Sequence, residues 1–317
     1  MTENTADGGH EDDRRVALLG PADCLAAPGV EAAVRGWEAH RVEVGDDAKA
    51  SIREAAELAG GGTLVTFGGD GSLHLAAQEI LNGGYACTLG LVPDGTGNDF
   101  ARHLGLSDLE PGEALERVLG WPARVIDTLR IPHPDGKPRR AVNAVSYGAA
   151  AETTRSTPEA VKAAAGKAAY AAWGAAFAAV ASATRVKVTG DGPGGSFAWE
   201  GPSLGVIAGN GRFTGGGFHV TPRARLGSGS FEVLVVPELG VADRARLGSA
   251  LRRTDGSDPA GIGDWPPEPL LAVTLTELRV EAEEPLALNC DGESSESGLL
   301  EVAIEPGKLR VRAPAAA

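Results

Sequence analysis

The 317-residue sequence predicts an α/β N-terminal lobe, a Rossmann-like parallel sheet with helices on both faces, followed by a C-terminal β-sandwich lobe, with a cleft between them. Three observations carry this. A β-rich apolar run, a glycine-rich break and a stretch of helical spacing occur in that order twice, over residues 63–81 and 88–104. Strands alternate with helices up to Trp121, the signature of a parallel sheet. Beyond Trp121, short β segments separated by Gly, Pro and Asp turns dominate.

In order, residues 15–19 (RVALL) read as a first strand ending at Gly20-Pro21, and 30–37 as a helix. A second strand is expected at 41–44 and an amphipathic helix at 47–59. Leu64-Val65-Thr66-Phe67 is short and β-rich enough to be a buried parallel strand. After Gly68-Gly69-Asp70-Gly71-Ser72, the residues Leu73, Ala76, Ala77, Ile80 and Leu81 recur at helical spacing. The strand at 88–92 runs into Pro93-Asp94-Gly95-Thr96-Gly97-Asn98-Asp99, and helical spacing resumes with Phe100, Ala101 and Leu104. A further helix covers 113–119. In the second half, β segments are expected at 124–130, 139–146, 185–188, 203–208, 231–236, 271–281, 286–289 and 299–304. Helices are expected at 158–183 and 243–252, and a surface loop at 253–269. The domains follow: a disordered acidic tail at 1–14, an α/β lobe at 15–122, a β-rich lobe at 123–305, and a C-terminal segment, 306–317, returning to the first lobe.

Composition narrows the function. The net charge of -14 and pI near 4.9 give a surface that repels nucleic acid and anionic headgroups. With 43% hydrophobic residues the core is ample. Cys24, Cys87 and Cys290 lack metal-type spacing and read as reduced thiols of a cytoplasmic protein. No signal peptide is visible, and the alanine-rich 168–183 stretch is too weakly apolar to span a bilayer.

A strand, a glycine loop and a helix aim backbone N–H groups and a helix N-terminus at one spot, which suits a phosphate. Residues 68–72 are either such a loop or a tight Asp-Gly turn; the helical spacing after Ser72 opposes a hairpin. Asp70 inside the loop points to metal binding or proton transfer. In the second loop, Gly95 and Gly97 permit close backbone approach, and Thr96 and Asn98 offer donors, unless Asn98 caps the next helix. Asp291-Gly292-Glu293 is an acidic turn, by itself ordinary surface. Residues 209–218 are dense in glycine, as a flexible loop or a second wall of a cleft. His74 and His103 read as helix-surface or partly buried residues. The G-x-G-x-x-G spacing of dinucleotide oxidoreductases is absent after the first strand.

Taken in order, GGDGS (68–72), PDGTGNDFAR (93–102), NGRFTGGG (210–217) and DGE (291–293) resemble the diacylglycerol kinase catalytic family, which includes bacterial lipid kinases and sphingosine kinases and is distantly related to NAD kinases. The similarity runs from Arg15 to the end, through Asn143–Gly148 and the Lys162, Gly166, Lys167 and Tyr170 stretch. It implies ATP and Mg2+, and transfer of the γ-phosphoryl to a hydroxyl of a diacylglycerol-like lipid. Gly68, Gly69, Asp70, Gly71 and Ser72 would cradle phosphates; Gly95, Thr96 and Asn98 would close on the nucleotide. Glu293, or its neighbour Asp291, would take the proton, with Asp70 acting on the metal or the acceptor. The alternatives are a kinase of a soluble hydroxyl metabolite and a catalytically impaired nucleotide- or lipid-binding protein. Transient membrane contact fits the first reading, with Arg212, Arg223 and Arg225 as its basic candidates.

Three departures stand out. Gly20-Pro21-Ala22-Asp23 replaces the family's Asn-Pro-x-Ser-Gly loop. Ser72-Leu73-His74 replaces Thr and the start of a following Asn-Glu pair. Ser228 stands where an aspartate of a structural magnesium site is expected, and a serine hydroxyl is a poor ligand for a hard cation.

Overall fold

A computed structural model describes residues 14–133, 135–155, 181–240, 242–244 and 270–315. The first lobe centres on β1 (Arg15–Gly20), β2 (Glu38–Glu43), β3 (Thr63–Gly68) and β4 (Thr88–Pro93), parallel and in the order β2-β1-β3-β4. Every residue of β3 is buried, as a central strand covered on both faces must be. The helices α3 (Ala48–Ala59), α4 (Asp70–Gly83) and α6 (Pro111–Gly120) supply apolar faces, with Ile52, Ala55, Leu73, Ala76, Ala77, Leu115 and Val118 in the core beside Leu18, Val65 and Leu89. Local signals set their ends. Asp47 accepts from the Ala50 amide at 3.1 Å, Pro111 opens α6, and Gly84 closes α4 at φ 68. The helix expected at 30–37 is only α2 (Val30–Ala33), because the chain turns at Gly36 with φ 88. A one-turn helix, α1 (Ala22–Leu25), follows β1.

In the second lobe, β5 (Ala123–Ile131) pairs with β6 (Arg139–Ala141), and β7 (Ala144–Tyr147) leads into α7 (Ala149–Arg155). Long strands β8 (Thr184–Gly192) and β9 (Gly195–Gly209) form a hairpin, and β12 (Phe231–Pro237) and β13 (Leu271–Leu275) extend the same sheet through β9. A short separate hairpin joins β10 (Phe213–Thr214) to β11 (Phe218–His219). Because β9 pairs with β8, β7 and β12, and β14 (Glu277–Cys290) pairs with β7, β8 and β15 (Glu293–Arg312), the layers of the sandwich are stitched together by shared strands. Its core holds Tyr147, Val188, Phe231, Val233 and Val280.

The strand β15 (Glu293–Arg312) connects the lobes. It pairs first with β14, then with β5, and its end lies parallel to β4 through Val311 and Leu89. Buried Arg312 locks that end. Its Nε and Nη2 donate to Thr63 Oγ1 at 3.1 and 2.9 Å, and Nη1 to the Trp121 carbonyl at 2.9 Å.

Two expected strands are broken for stated reasons. The 139–146 run divides because the amides of residues 142–144 turn to the Asp291 carboxylate instead of a neighbouring strand. The 271–281 run divides at Thr276, whose amide and hydroxyl both donate to the Asp191 carbonyl at 2.8 and 3.0 Å. The 286–289 segment is the end of β14, reached past an irregularity between Glu281 and Leu286. Most of the helix expected at 158–183, most of that at 243–252 and the 253–269 loop lie outside the described residues; 181–183 are not helical.

Candidate active site

Parallel strands leave free peptide groups and loops at their carboxyl ends, and the β2-β1-β3-β4 order reverses direction between β1 and β3. The loops after β1, β3 and β4 therefore share one crevice. Those after β3 and β4 touch through backbone. A methyl group on Gly95 would stand 2.6 Å from Gly69 Cα, and one on Gly69 would stand 3.2 Å from Gly95 Cα. Only glycine allows that approach.

Gly68 ends β3, and Gly69 precedes α4 with no side-chain cap on that helix. The first-turn amides of Asp70, Gly71 and Ser72 are thus left to the loop mouth. Gly71, Ser72 and Thr96 are exposed there, and nothing lies within 4 Å of where a Gly71 side chain would begin. Asn98 sits at φ 50 and spends its amide on the loop itself. Its Oδ1 accepts from the Gly95 amide at 3.0 Å, and its Nδ2 donates to the Gly95 carbonyl at 2.6 Å. Although it is the residue before α5 (Asp99–His103), its side chain does not cap that helix.

Asp70 does so instead. Its two carboxylate oxygens accept from the Asp99 and Phe100 amides at 3.0 and 2.9 Å, joining the first glycine loop to the second. Asp99, which sequence reasoning passed over, joins the lobes. It accepts from the Gly216 and Gly217 amides at 2.9 and 2.7 Å, so the glycine-dense loop is a second wall fixed in place. Gly215, Gly216 and Gly217 all have positive φ, which turns successive amides toward one anion. Burial pushes the Asp99 carboxyl up to about 7, helped by the charge of Asp70 and opposed by the two amides and Arg102. Burial likewise raises Asp70; amide bonds oppose the rise, and the Asp291 charge adds to it. Arg102, also passed over, donates to the Gly97 carbonyl at 3.1 Å and lies over the Phe213 ring. Its position at the end of PDGTGNDFAR was the available signal.

The acidic turn resolves into two roles. Asp291, at φ 48, accepts from the amides of Val142, Asn143 and Ala144 at 2.5, 3.1 and 2.8 Å, and His74 Nδ1 stands 3.3 Å from its Oδ2. Both oxygens are committed to these contacts, so Asp291 anchors the turn. Glu293 is exposed, is the first residue of β15, and pairs through its backbone with Cys290. Because His74, four residues after Asp70 on α4, reaches the Asp291 carboxylate, the turn lies beside the helix that follows the first glycine loop.

His74 is buried, and His103 is partly buried as expected. His103 Nδ1 accepts from the Arg212 amide at 3.0 Å, and burial holds its pKa down to about 3. Arg212 turns inward, its Nε donating to the Ala224 carbonyl at 3.3 Å, while Arg223 and Arg225 stay exposed. In place of a loop after β1, the one-turn α1 offers Cys24, whose thiol donates to Asp94 at 2.9 Å and is pushed up to about 12 by burial and that acid. All three cysteines are free thiols.

Residues 25–131 match the diacylglycerol kinase catalytic domain, and residues 143–313 match the YegS C-terminal NAD kinase beta sandwich-like domain. The chain belongs to the diacylglycerol kinase family, of the YegS-like kind. A Probable lipid kinase YegS-like protein of Pseudomonas aeruginosa is 35% identical over 273 residues, covering 85% of this chain and 82% of that protein. One of Alcanivorax borkumensis is 33% identical over 292 residues, covering 90% and 88%. A solved structure from Bacillus anthracis str. Sterne has the same fold, with TM-score 0.74 at 20% identity over 96% of this chain and 99% of that one. Another from that organism, named as a diacylglycerol kinase, gives 0.67 at 18% identity over 95% and 97%. Membership makes this YegS-like chain a phosphotransferase with an alcohol group as acceptor. None of its described helices is long and apolar enough to cross a membrane.

Proposed function

We propose that this YegS-like chain transfers the γ-phosphoryl group of ATP to a hydroxyl of a diacylglycerol-like lipid. The observation carrying the reading is the backbone contact of Gly69 with Gly95, which sets an uncapped helix N-terminus beside a second glycine loop. Amides 70–72 bind the phosphates, since a helix N-terminus carries partial positive charge and free donors. Gly95 and Thr96 close the other side. Arg102 and the amides of 216–217 balance the charge of Asp70 and Asp99 so that the carboxylates do not repel the incoming anion. Glu293 accepts the hydroxyl proton as the acceptor oxygen attacks phosphorus and the bond to the ADP oxygen breaks. Phosphoryl transfer needs positioning and charge neutralisation above all, and this arrangement supplies both.

Mg2+ neutralises phosphate charge when bound with the nucleotide. Among the described residues no three His, Cys, Asp or Glu come together as a metal cage, and the Ser228 hydroxyl donates to the Ser230 carbonyl at 3.0 Å. The residues fit an ion that arrives on ATP and keeps its waters, not one held by the protein alone.

The test is a panel of labelled-ATP assays with diacylglycerol in mixed micelles and with soluble alcohols, run beside vesicle flotation. Transfer to the lipid with vesicle binding supports the reading. Turnover of a soluble alcohol without vesicle binding overturns the lipid assignment, an outcome the inward-facing Arg212 makes worth measuring. Nucleotide binding with no transfer to any acceptor identifies an impaired binding protein.

A further inference from the structure

We infer that His74 is a positioning residue that sets the distance between the phosphate-binding helix and the base at Glu293; this rests on the kinase reading above. His74 is the fifth residue of α4, one helical turn below the amides of Asp70 and Gly71. Its ring is 4% exposed and ends 3.3 Å from the Asp291 carboxylate. Asp291 and Gly292 are both at positive φ, and Cys290 pairs with Glu293 across them, a two-residue hairpin turn of the tight, primed kind. Glu293 therefore moves with Asp291.

Asp291 is held on the other side by the amides of Val142, Asn143 and Ala144. The second lobe thus grips one side of the carboxylate and α4 the other, through His74. The contact needs His74 Nδ1 to carry the proton, with a carboxylate oxygen accepting. Other bonds from α4 to the second lobe run from Gln78 to the Arg140 carbonyl and from Arg140 to Asn82, further along the helix. His74 is the one nearest the glycine loop, and it is the bond that fixes the reacting end. Among the described residues no other side chain of α4 is bonded to the Asp291 turn.

The separation of roles gives a sharp expectation. Removing the ring leaves the nucleotide amides in place but frees the turn, so kcat falls and KM for ATP holds. A displacement on the order of 1 Å between reacting groups costs about a hundredfold in rate. Asparagine can replace the contact, because its Nδ2 lies the same number of bonds from Cα as histidine Nδ1. The experiment measures kcat and KM for ATP, with hydrogen exchange at 142–144 and 290–294, for wild type, His74→Ala and His74→Asn. The expected result is a loss of about a hundredfold in kcat for His74→Ala at nearly constant KM, faster exchange in both segments, and recovery of most of the loss by His74→Asn. Wild-type kcat in His74→Ala, a defect confined to KM, or no recovery by His74→Asn overturns the inference. If the wild-type protein transfers no phosphoryl group, the kinase reading fails separately; the exchange arm still decides whether His74 tethers the turn, and unchanged exchange in His74→Ala refutes it.

Discussion

Gly71→Ala and Gly95→Ala make opposite demands on the two glycine loops. At Gly71 a methyl group meets nothing within 4 Å, and the residue is in the first turn of α4 with ordinary φ. Alanine is a better helix former than glycine by up to about 1 kcal/mol, so the substitution raises stability slightly. In a chain of this size that is an increase in Tm of about 2 °C. The same methyl projects from the loop mouth, where the account places the ATP phosphates. The variant should gain stability and lose activity, with KM for ATP raised. At Gly95 the methyl stands 2.6 Å from Gly69 Cα and 2.8 Å from Asn98 Oδ1, and backbone cannot swing aside. The loops must part by about 1 Å, an overpacking cost of about 1–3 kcal/mol. That displacement costs about a hundredfold in rate. Thermal melts with steady-state kinetics on both variants provide the assay. Full activity with normal KM in Gly71→Ala would refute phosphate binding over that helix terminus, and wild-type stability in Gly95→Ala would refute the contact between loops.

Other outcomes follow from single contacts. Asp99 keeps its proton to about pH 7 when folded, against an ordinary value of 3.8, so stability declines as pH rises through that interval. The slope contributed is up to about 1.4 kcal/mol per pH unit; urea titrations across the range should show it, and Asp99→Asn should flatten it. Asn98→Ala loses both amide bonds to Gly95 and leaves at φ 50 an alanine, which tolerates that region less well than asparagine, costing about 1–3 kcal/mol. Asn98→Gly should recover only the backbone part, as melts will read. Arg312→Met strands Thr63 Oγ1 and the Trp121 carbonyl in the interior, for a loss of about 3 kcal/mol in denaturant unfolding.

The parts of the fold legible in the sequence are those written locally. Apolar strands ending in glycine loops, the Asp47 cap and the proline opening α6 are each decided within a few residues. The two loops were legible for that reason, but their contact was not, since nothing near Gly69 names Gly95. Asp99 meets Gly216 across 117 residues, and His74 meets Asp291 across 217. A side chain's partner at that range depends on the assembled sheet. The break at Val142-Asn143 has the same origin: the local run is β-prone, but Asp291 takes its amides from 147 to 149 residues away. The roles of Asp291 and Glu293 looked interchangeable in the sequence because only the count of donors around each carboxylate separates them.

A crystal structure with a non-hydrolysable ATP analogue and Mg2+ reads the central geometry without relying on the acceptor. The phosphates should rest on amides 70–72 with Gly95 opposite, and the γ-phosphoryl should face the Glu293 carboxylate across a gap wide enough for one hydroxyl. A nucleotide seated elsewhere, or a γ-phosphoryl pointing away from Glu293, would contradict it.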